Sequence, residues 1–460
     1  MPIEAKHLLL TKIETAQGVD ASPGASDVVG IFTPRVTDNY DIQKRQPAGF
    51  SLSKDVDPVG RNTRQVTFTQ DFAGSGSLGT APPWGKHVRA SGMRELDTDA
   101  LTISTVVGKI QMGEAVQVTG DATRWGIAVG SAATGATTLT VAWMAGNKPT
   151  ASDALTGMAS GATCEVDGIA TRSKAYRPDS TALVELAVAA WSGGTAPAVG
   201  AHLVVVFGGE IVGGGTVFSK TTDTQFKMAM HWGAIASGVT LRTAANATTT
   251  VTTAIQTNVP SLTILSNLDT LERRTLGARG SFRLSGDNSQ ALQFEFTFLG
   301  QVGAHTDAAP PSLTGLSTIA PPRLVGAVVG VGIGADFLRL PTKRIELDMA
   351  GQVGMRGDAN QPGGDIGSDI STREPILRVT FDKVGFGSAN LLTRLQQGTT
   401  VRFACKFGTT AGNTMVIAAP RCQIESIEDG NDNGIATNIV SLALKRFTFD
   451  GDDEFILAQD

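Results

Sequence analysis

The sequence predicts a mainly β protein: two tandem β-sandwich or barrel domains, each with a short flanking helix, plus a small inserted β-barrel-like domain. Three observations carry that expectation. Apolar residues alternate with polar ones at period two along much of the chain, as half-buried antiparallel strands require. The 460 residues include 54 glycines, well above an average usage of about 7%, and they cluster with Asn, Asp and Pro between the strand candidates, where turns need them. Finally, two stretches of the chain share an order of elements and a few matching residues.

The clearest strand is Ala291–Gly300, in which Leu292, Phe294, Phe296 and Phe298 fall on one face while Gln293, Glu295 and Thr297 fall on the other. Further candidates are Leu183–Ala187, Leu203–Phe207, Lys343–Met349, Leu377–Phe381, Val401–Phe407, Met415–Ala418 and Ile439–Phe449. Turn chemistry separates them at Gly286-Asp287-Asn288 and at Asp429–Gly434. Helices are few. The best is Ser388–Gln397, with Ser388 as N-cap, Leu391, Leu392 and Leu395 on one face and Gly398 as the stop. A shorter helix is expected over Trp84–Met93, after Pro82-Pro83.

The internal repeat relates residues 25–104 to residues 335–400, each running strand, long polar loop, strand, short helix. Thr63-Arg64 leads into Val66-Thr67-Phe68, as Thr372-Arg373 leads into Val379-Thr380-Phe381. Each unit is expected to close on a related strand, Phe296–Gly300 in the first and Phe447–Gly451 in the second. The first domain is then discontinuous, residues 1–104 and 170–307, interrupted by a small β domain at 105–169. The Pro-rich stretch 308–322 reads as a linker, and 323–460 form the second domain. Ser237–Val259, dominated by Thr, Ala and Asn, reads as an exposed hairpin or part of an edge strand.

At about 100–200 residues per domain, the length allows two to four domains with sizeable cores. Only 18% of residues are charged and the formal net charge is -5, which excludes the basic surface of an ordinary nucleic-acid binder. Cys164, Cys405 and Cys422 are widely spaced with no C-x-x-C, so one stays unpaired in a monomer and a reducing cytoplasm suits folding. The first residues carry Glu4 and Lys6 before a three-leucine run and lack a signal-peptide core. The longest apolar stretch, Leu324–Ala335, is shorter than the roughly 20 residues that span a bilayer, so no membrane association is expected.

No constellation points to catalysis, a cofactor or a metal. His7, His87, His202, His231 and His305 are scattered, without metal-ligand spacing. Gly74-Ser75-Gly76-Ser77-Leu78-Gly79 has the wrong register for a nucleophile elbow. Gly330-Val331-Gly332-Ile333-Gly334 opens no helix and lacks the Lys-Ser/Thr of a phosphate loop. Asp429, Asn431 and Asn433 match half of a calcium loop, but Val440 stands where a bidentate Glu is needed, which leaves a hairpin turn. The acidic run Asp450–Glu454 reads as a solvated turn and tail.

Several passages, in order, carry a family resemblance: KIETAQGVDASPGASDVVGI, RQVTFTQDFAGSGSLGTAPPWGKHVRASGM, YRPDSTALVELAV, GARGSFRLSGDNSQALQFEFTFLG and the C-terminal GTTAGNTMVIAAPRCQIESIEDGNDNGIATNIVSLALKRFTFDGDDEF. Together they resemble a tailed-bacteriophage major tail tube protein. The resemblance touches most of the chain and fails mainly over 105–169 and 190–260. It implies a non-enzymatic virion protein, made in the host cytoplasm, that polymerises into stacked rings around a DNA channel. With a duplicated tube domain, the rings are trimers of pseudo-sixfold symmetry. The expected partners are the chain itself, the tape measure protein, the tail terminator and the distal tail proteins; DNA passes without specific binding.

In that family the long loops reach toward the adjacent ring. Here these are Val36–Arg64 and Ala350–Arg373, which assigns Asp55, Asp57, Arg61, Arg64, Arg356, Asp358, Asp365 and Arg373 to stacking contacts. Two other readings stay open: a carbohydrate-binding tail fibre or adhesin module, and a tail-associated depolymerase, for which no paired carboxylates stand at a recognisable spacing.

Overall fold

The computed structural model describes residues 7–45, 56–233, 235, 237–311, 314, 316–361, 363–383 and 390–460. The chain is mainly β, as its alternation predicts. Most strands join one antiparallel hydrogen-bonded network, and six others close a separate barrel. Among the described residues, no helix is long and apolar enough to cross a membrane.

The phenylalanine strand lies at the centre. Strand Gln293–Asp307 pairs on one side with Val59–Asp71, Phe296 opposite Phe68, and on the other with Leu271–Asp287, Phe296 opposite Phe282. Residues two apart share a face, so Phe294, Phe296 and Phe298 stack in a row with ring centroids 5.0 and 5.7 Å apart. Phe68, Phe72 and Phe282 cover them from the flanking strands. Aromatic pairs at such separations contribute roughly 0.5–1.5 kcal/mol beyond their buried area.

The short helix after the double proline spans Gly85–Ala90 and caps this aromatic row. Trp84 is fully buried, its Nε1 donating to the Ala73 carbonyl at 2.8 Å. Gly85 meets Tyr176 so closely that a Cβ would lie 2.2 Å from the phenol oxygen. His87 is also fully buried, with Nδ1 2.8 Å from Gln70 Oε1 and Nε2 2.8 Å from Thr11 Oγ1. Gln70 Oε1 only accepts, so Nδ1 carries the proton and Thr11 donates to Nε2. Burial, reinforced by neighbouring Lys86, holds the imidazole pKa well below its ordinary value. Lys86 itself is pulled down to about 8 by burial, with Asp27 opposing.

The two halves of the chain share one core. Strand Leu271–Asp287 also pairs with Thr342–Asp348, Arg283 opposite Asp348, and the phenylalanine row continues into Leu347, Leu377, Phe381, Phe403 and Phe407 without a break. The described residues of 308–322 form no helix or strand. Val66–Phe68 and Val379–Phe381 both lie in strands, but the strands expected to close the two units do not correspond. Phe447–Gly451 is no strand, because the Asp453 carboxylate takes the N–H groups of Phe447 and Thr448, both at 2.8 Å. The partner of Ile376–Asp382 is instead Ile435–Leu444.

Residues 105–169 grow out of a long hairpin rather than following a linker. Strands Met93–Val107 and Thr163–Pro178 pair along their whole length, across the expected boundaries. Their far ends, with Ala115–Val118, Thr138–Ala145 and Ala154–Gly157, enclose a core of Leu101, Ile103, Val141, Trp143 and Val166. A further layer, Trp125 and Ile127 against Val416, Ile456 and Ala458, attaches this region to the C-terminal half.

The Thr-rich stretch is neither a free hairpin nor an edge. Thr240–Thr243 and Thr248–Gln256 close a six-strand barrel with Leu183–Val188, His202–Phe207, Glu210–Thr222 and Gln225–Gly233. Val251 and Ala254 point inward while Thr250, Thr252 and Thr253 face solvent, which accounts for the threonines. The second helix spans Leu391–Gln397 and stops at Gly398, whose φ is 64°. Ser388 lies outside the described residues. Leu391 and Leu395 pack on the core, whereas Leu392, one step around the helix, is exposed.

Because unfolding frees His87 to take up a proton that the native state refuses, stability should fall as pH drops below the ordinary histidine pKa of about 6.5, by at most about 1.4 kcal/mol per pH unit from this residue. Urea midpoints measured over that range check this, and a flat profile would mean that His87 is protonated in place.

Candidate functional site

Two hairpins project from the central sheet, and they are the two long loops singled out in the sequence. The first pairs Phe32–Ile42 with Val59–Asp71. Its near half belongs to the sheet, but pairing with Gln293–Asp307 ends at Thr63 opposite Gln301. Beyond that point the hairpin is a two-stranded arm. Tyr40, Ile42, Val56 and Val59 on the arm are 48%, 52%, 84% and 62% exposed, and Ile42 stands opposite Val59. These apolar residues were missed in the sequence, although Tyr40 and Ile42 follow the period-two rule on a stretch with no partner strand to cover them.

The root of the arm is an ion pair. Arg64 is fully buried, with Nε 2.5 Å and Nη2 3.0 Å from the two Asp38 carboxylate oxygens. Nη1 donates to the Arg274 carbonyl at 2.8 Å, and Nη2 to His305 Nε2 at 2.5 Å. The Arg64 guanidinium holds the Asp38 carboxyl below the usual carboxylate range, against partial burial.

Among the described residues the second hairpin, Gln352–Gly357 with Asp365–Thr372, pairs only with itself. It docks on the first half through backbone. Gly277, at φ +60°, faces Gly367, and a Cβ there would sit 2.9 Å from the Gly367 Cα. Ser368 Oγ accepts the Arg279 N–H at 2.7 Å and donates to the Gly277 carbonyl at 3.1 Å. The Gly277 N–H points the other way, to Glu14 Oε1 at 2.8 Å. Glu14 is buried and accepts three more bonds, from Thr263 Oγ1 at 3.0 Å, Gly18 N at 2.8 Å and Ser261 Oγ at 2.5 Å. Burial pushes its carboxyl above the ordinary range, although all four donors pull the other way.

Each of the seven described stacking candidates has a partner in its own chain; Asp55 lies outside the described residues. Arg61 reaches Asp365 at 3.3 Å and so ties the two hairpins together. Burial raises the Asp365 pKa, with Arg61 opposing. Arg64 is held as described. Arg373 is mostly buried against Asp452 and Glu454, so reversing its charge strips two carboxylates of their partner rather than altering only an outer surface. Arg356 contacts Asp369 at 3.4 Å and the His231 carbonyl. Asp57 accepts the Arg45 N–H at 2.7 Å, and Asp358 accepts both the N–H and the side-chain amide of Asn360 at 2.9 Å. The last of these shapes its own turn.

The three cysteines are free and buried; burial raises Cys164 to about 11 and pushes Cys405 and Cys422 further up. Among the described residues, no three His, Cys, Asp or Glu side chains group as a metal site would need.

Two substitutions probe this framework. Glu14→Gln places an amide NH2 against either the Gly18 or the Gly277 N–H, since each carboxylate oxygen receives one of them, and should cost about 1–3 kcal/mol in denaturant unfolding. Asp38→Ala leaves the Arg64 charge buried without its counter-ion and should cost about 3–5 kcal/mol by the same measurement. No protein-family model matches this chain, and no curated protein matches it.

Proposed function

We propose that the chain is a structural subunit that associates with copies of itself, as a tail-tube-type virion protein does, and that the arm is its joining element. The observation that carries this reading is the arm itself: an extended ribbon, leaving the sheet at Thr63, with apolar residues in solvent. An exposed apolar patch on a projecting element favours association. Among the described residues the strand Phe32–Ile42 pairs on one side only, and such an edge presents unpaired N–H and C=O groups to a second chain.

The passages that resemble a tube protein supply the expected form, stacked rings around a channel. The buried Arg64–Asp38 root and the Arg61–Asp365 tie suit an arm that must hold its direction. A net charge of -5 per chain suits a wall along which DNA slides, since a basic lining would retain phosphate through counter-ion release. The adhesin reading draws no support from the inserted region, where Trp125 and Trp143 are buried and offer no aromatic platform to a sugar.

Light scattering and negative-stain electron microscopy of the purified protein test the proposal. Rings or tubes are expected, and Tyr40→Asp with Ile42→Asp should raise the concentration needed for assembly by about tenfold or more, as loss of buried interface anchors does, with an unchanged unfolding midpoint. A protein that stays monomeric at high concentration, or a variant that assembles as the parent does, would refute it.

A further inference from the structure

A cleft of about 590 Å³ separates the inserted region from the C-terminal half, away from the two hairpins. Four cationic side chains line it, Lys109, Arg172, Arg339 and Lys406, against two carboxylates, Asp336 and Asp460. In a chain with more acidic than basic residues, this is a local inversion of charge. Asp460 is shared: its Oδ1 lies 2.5 Å from Arg172 Nε and its Oδ2 2.6 Å from Lys406 Nζ. One carboxylate against two cations leaves a positive charge over. Lys109 and Arg339 are exposed, and among the described residues neither has an ion-pair partner.

The position of Arg339 is fixed from behind. It ends strand Asp336–Arg339, which pairs with Val328–Ile333, and the turn between them is held by the buried Arg402 guanidinium, donating to the carbonyls of Gly334 at 2.5 Å and Asp336 at 3.2 Å. Arg402 lies flat across Gly332, where any Cβ would fall 2.1 Å from its Nε. The rest of the cleft adds polar groups from Gln111, Ser131 and Thr138. A cleft of similar volume between the second hairpin and the six-strand barrel offers no such excess, since Arg279, Arg356 and Arg373 there face Asp179, Asp369 and Glu454; in a third, of about 530 Å³, Arg94, Lys148, Lys174 and Arg177 stand with Glu95 and Asp97, but both lysines are already paired, with Asp97, Asp99 and Glu95.

We infer that this cleft binds a compact multivalent anion of the phosphate class, a polyphosphate or a phosphorylated sugar. Two unbalanced positive charges match a dianion better than a single carboxylate. Guanidinium and ammonium groups together are the donors that phosphate oxygens take, and the volume falls within the usual range of roughly 300–1,000 Å³ for small-ligand sites. The inference is independent of self-association.

Calorimetric titration of the intact protein with inorganic pyrophosphate at low salt tests it. Saturable binding is expected, weakened by at least about tenfold in the double variant Lys109→Glu, Arg339→Glu, because two charge-assisted contacts are lost and replaced by repulsion. Both side chains are exposed and unpaired, so the variant should unfold at the same denaturant concentration as the parent without ligand. Lys383→Glu, outside the cleft, should bind as the parent does. No heat at millimolar pyrophosphate, or equal binding by the double variant, would overturn the inference. So would a short single-stranded oligonucleotide that binds more tightly than pyrophosphate and is lost with the same variant, since the cleft would then be a nucleic-acid site.

Discussion

One buried carboxylate sets the geometry on which the rest of the molecule depends. Glu14 gathers two backbone N–H groups and two hydroxyls from three separate stretches of chain: the turn at Gly18, the segment Ser261–Thr263 and the bend at Gly277. The Gly277 N–H is buried and without Glu14 would lose its partner, at a cost of roughly 1–3 kcal/mol. By taking the Gly277 N–H out of the ladder, Glu14 permits the bulge between Leu276 and Arg279. That bulge is the seat of the second hairpin. Through Gly367 and Ser368 the hairpin settles there, and Asp365 is brought to Arg61 on the arm. A chain of contacts thus runs from a buried acid near the start of the chain to a projecting ribbon.

Around this centre the sheet is continuous where the sequence suggested separate domains. The strand Leu271–Asp287 pairs with Gln293–Asp307 and with Thr342–Asp348, so the two halves fold onto one apolar core. The inserted region is welded on as well, by the long ladder of its hairpin, which runs on through three register shifts, and by the Trp125 layer against the C-terminal half. A chain built this way transmits load through strands rather than across linkers, which would suit the self-association proposed above. The six-strand barrel contributes a core of its own and presents threonines to solvent.

Legibility in the sequence followed the range of the interaction. The alternation at Leu292–Phe298 marked the central strand and its buried face, and all four of its apolar residues lie in the core. Pro82-Pro83 and Gly398 marked helix boundaries within a few residues. The charged loop residues were legible as a group, since Asp57, Arg61, Arg64, Arg356, Asp358, Asp365 and Arg373 all lie on or beside the two hairpins. Their individual roles were not. Whether Arg64 or Arg373 points outward depends on Asp38 and Asp452, partners 26 and 79 positions away, and no local pattern encodes such a distance.

What the sequence determined by itself is the class of structure: period two, turn residues and few helix signals leave an antiparallel β protein with apolar faces to bury. What only the tertiary structure decided is which faces meet and which charges remain free. The Thr-rich stretch became a barrel wall because a partner strand, Leu183–Val188, covers its alternate residues. Phe447–Gly451 lost its strand because Asp453 captured its N–H groups. Tyr40 and Ile42 stay in solvent because the pairing of Gln293–Asp307 with their hairpin ends at Gln301, opposite Thr63. In each case the outcome turns on a neighbour distant in sequence, since burial and hydrogen bonding are settled by the surface that arrives and not by the residue that waits for it.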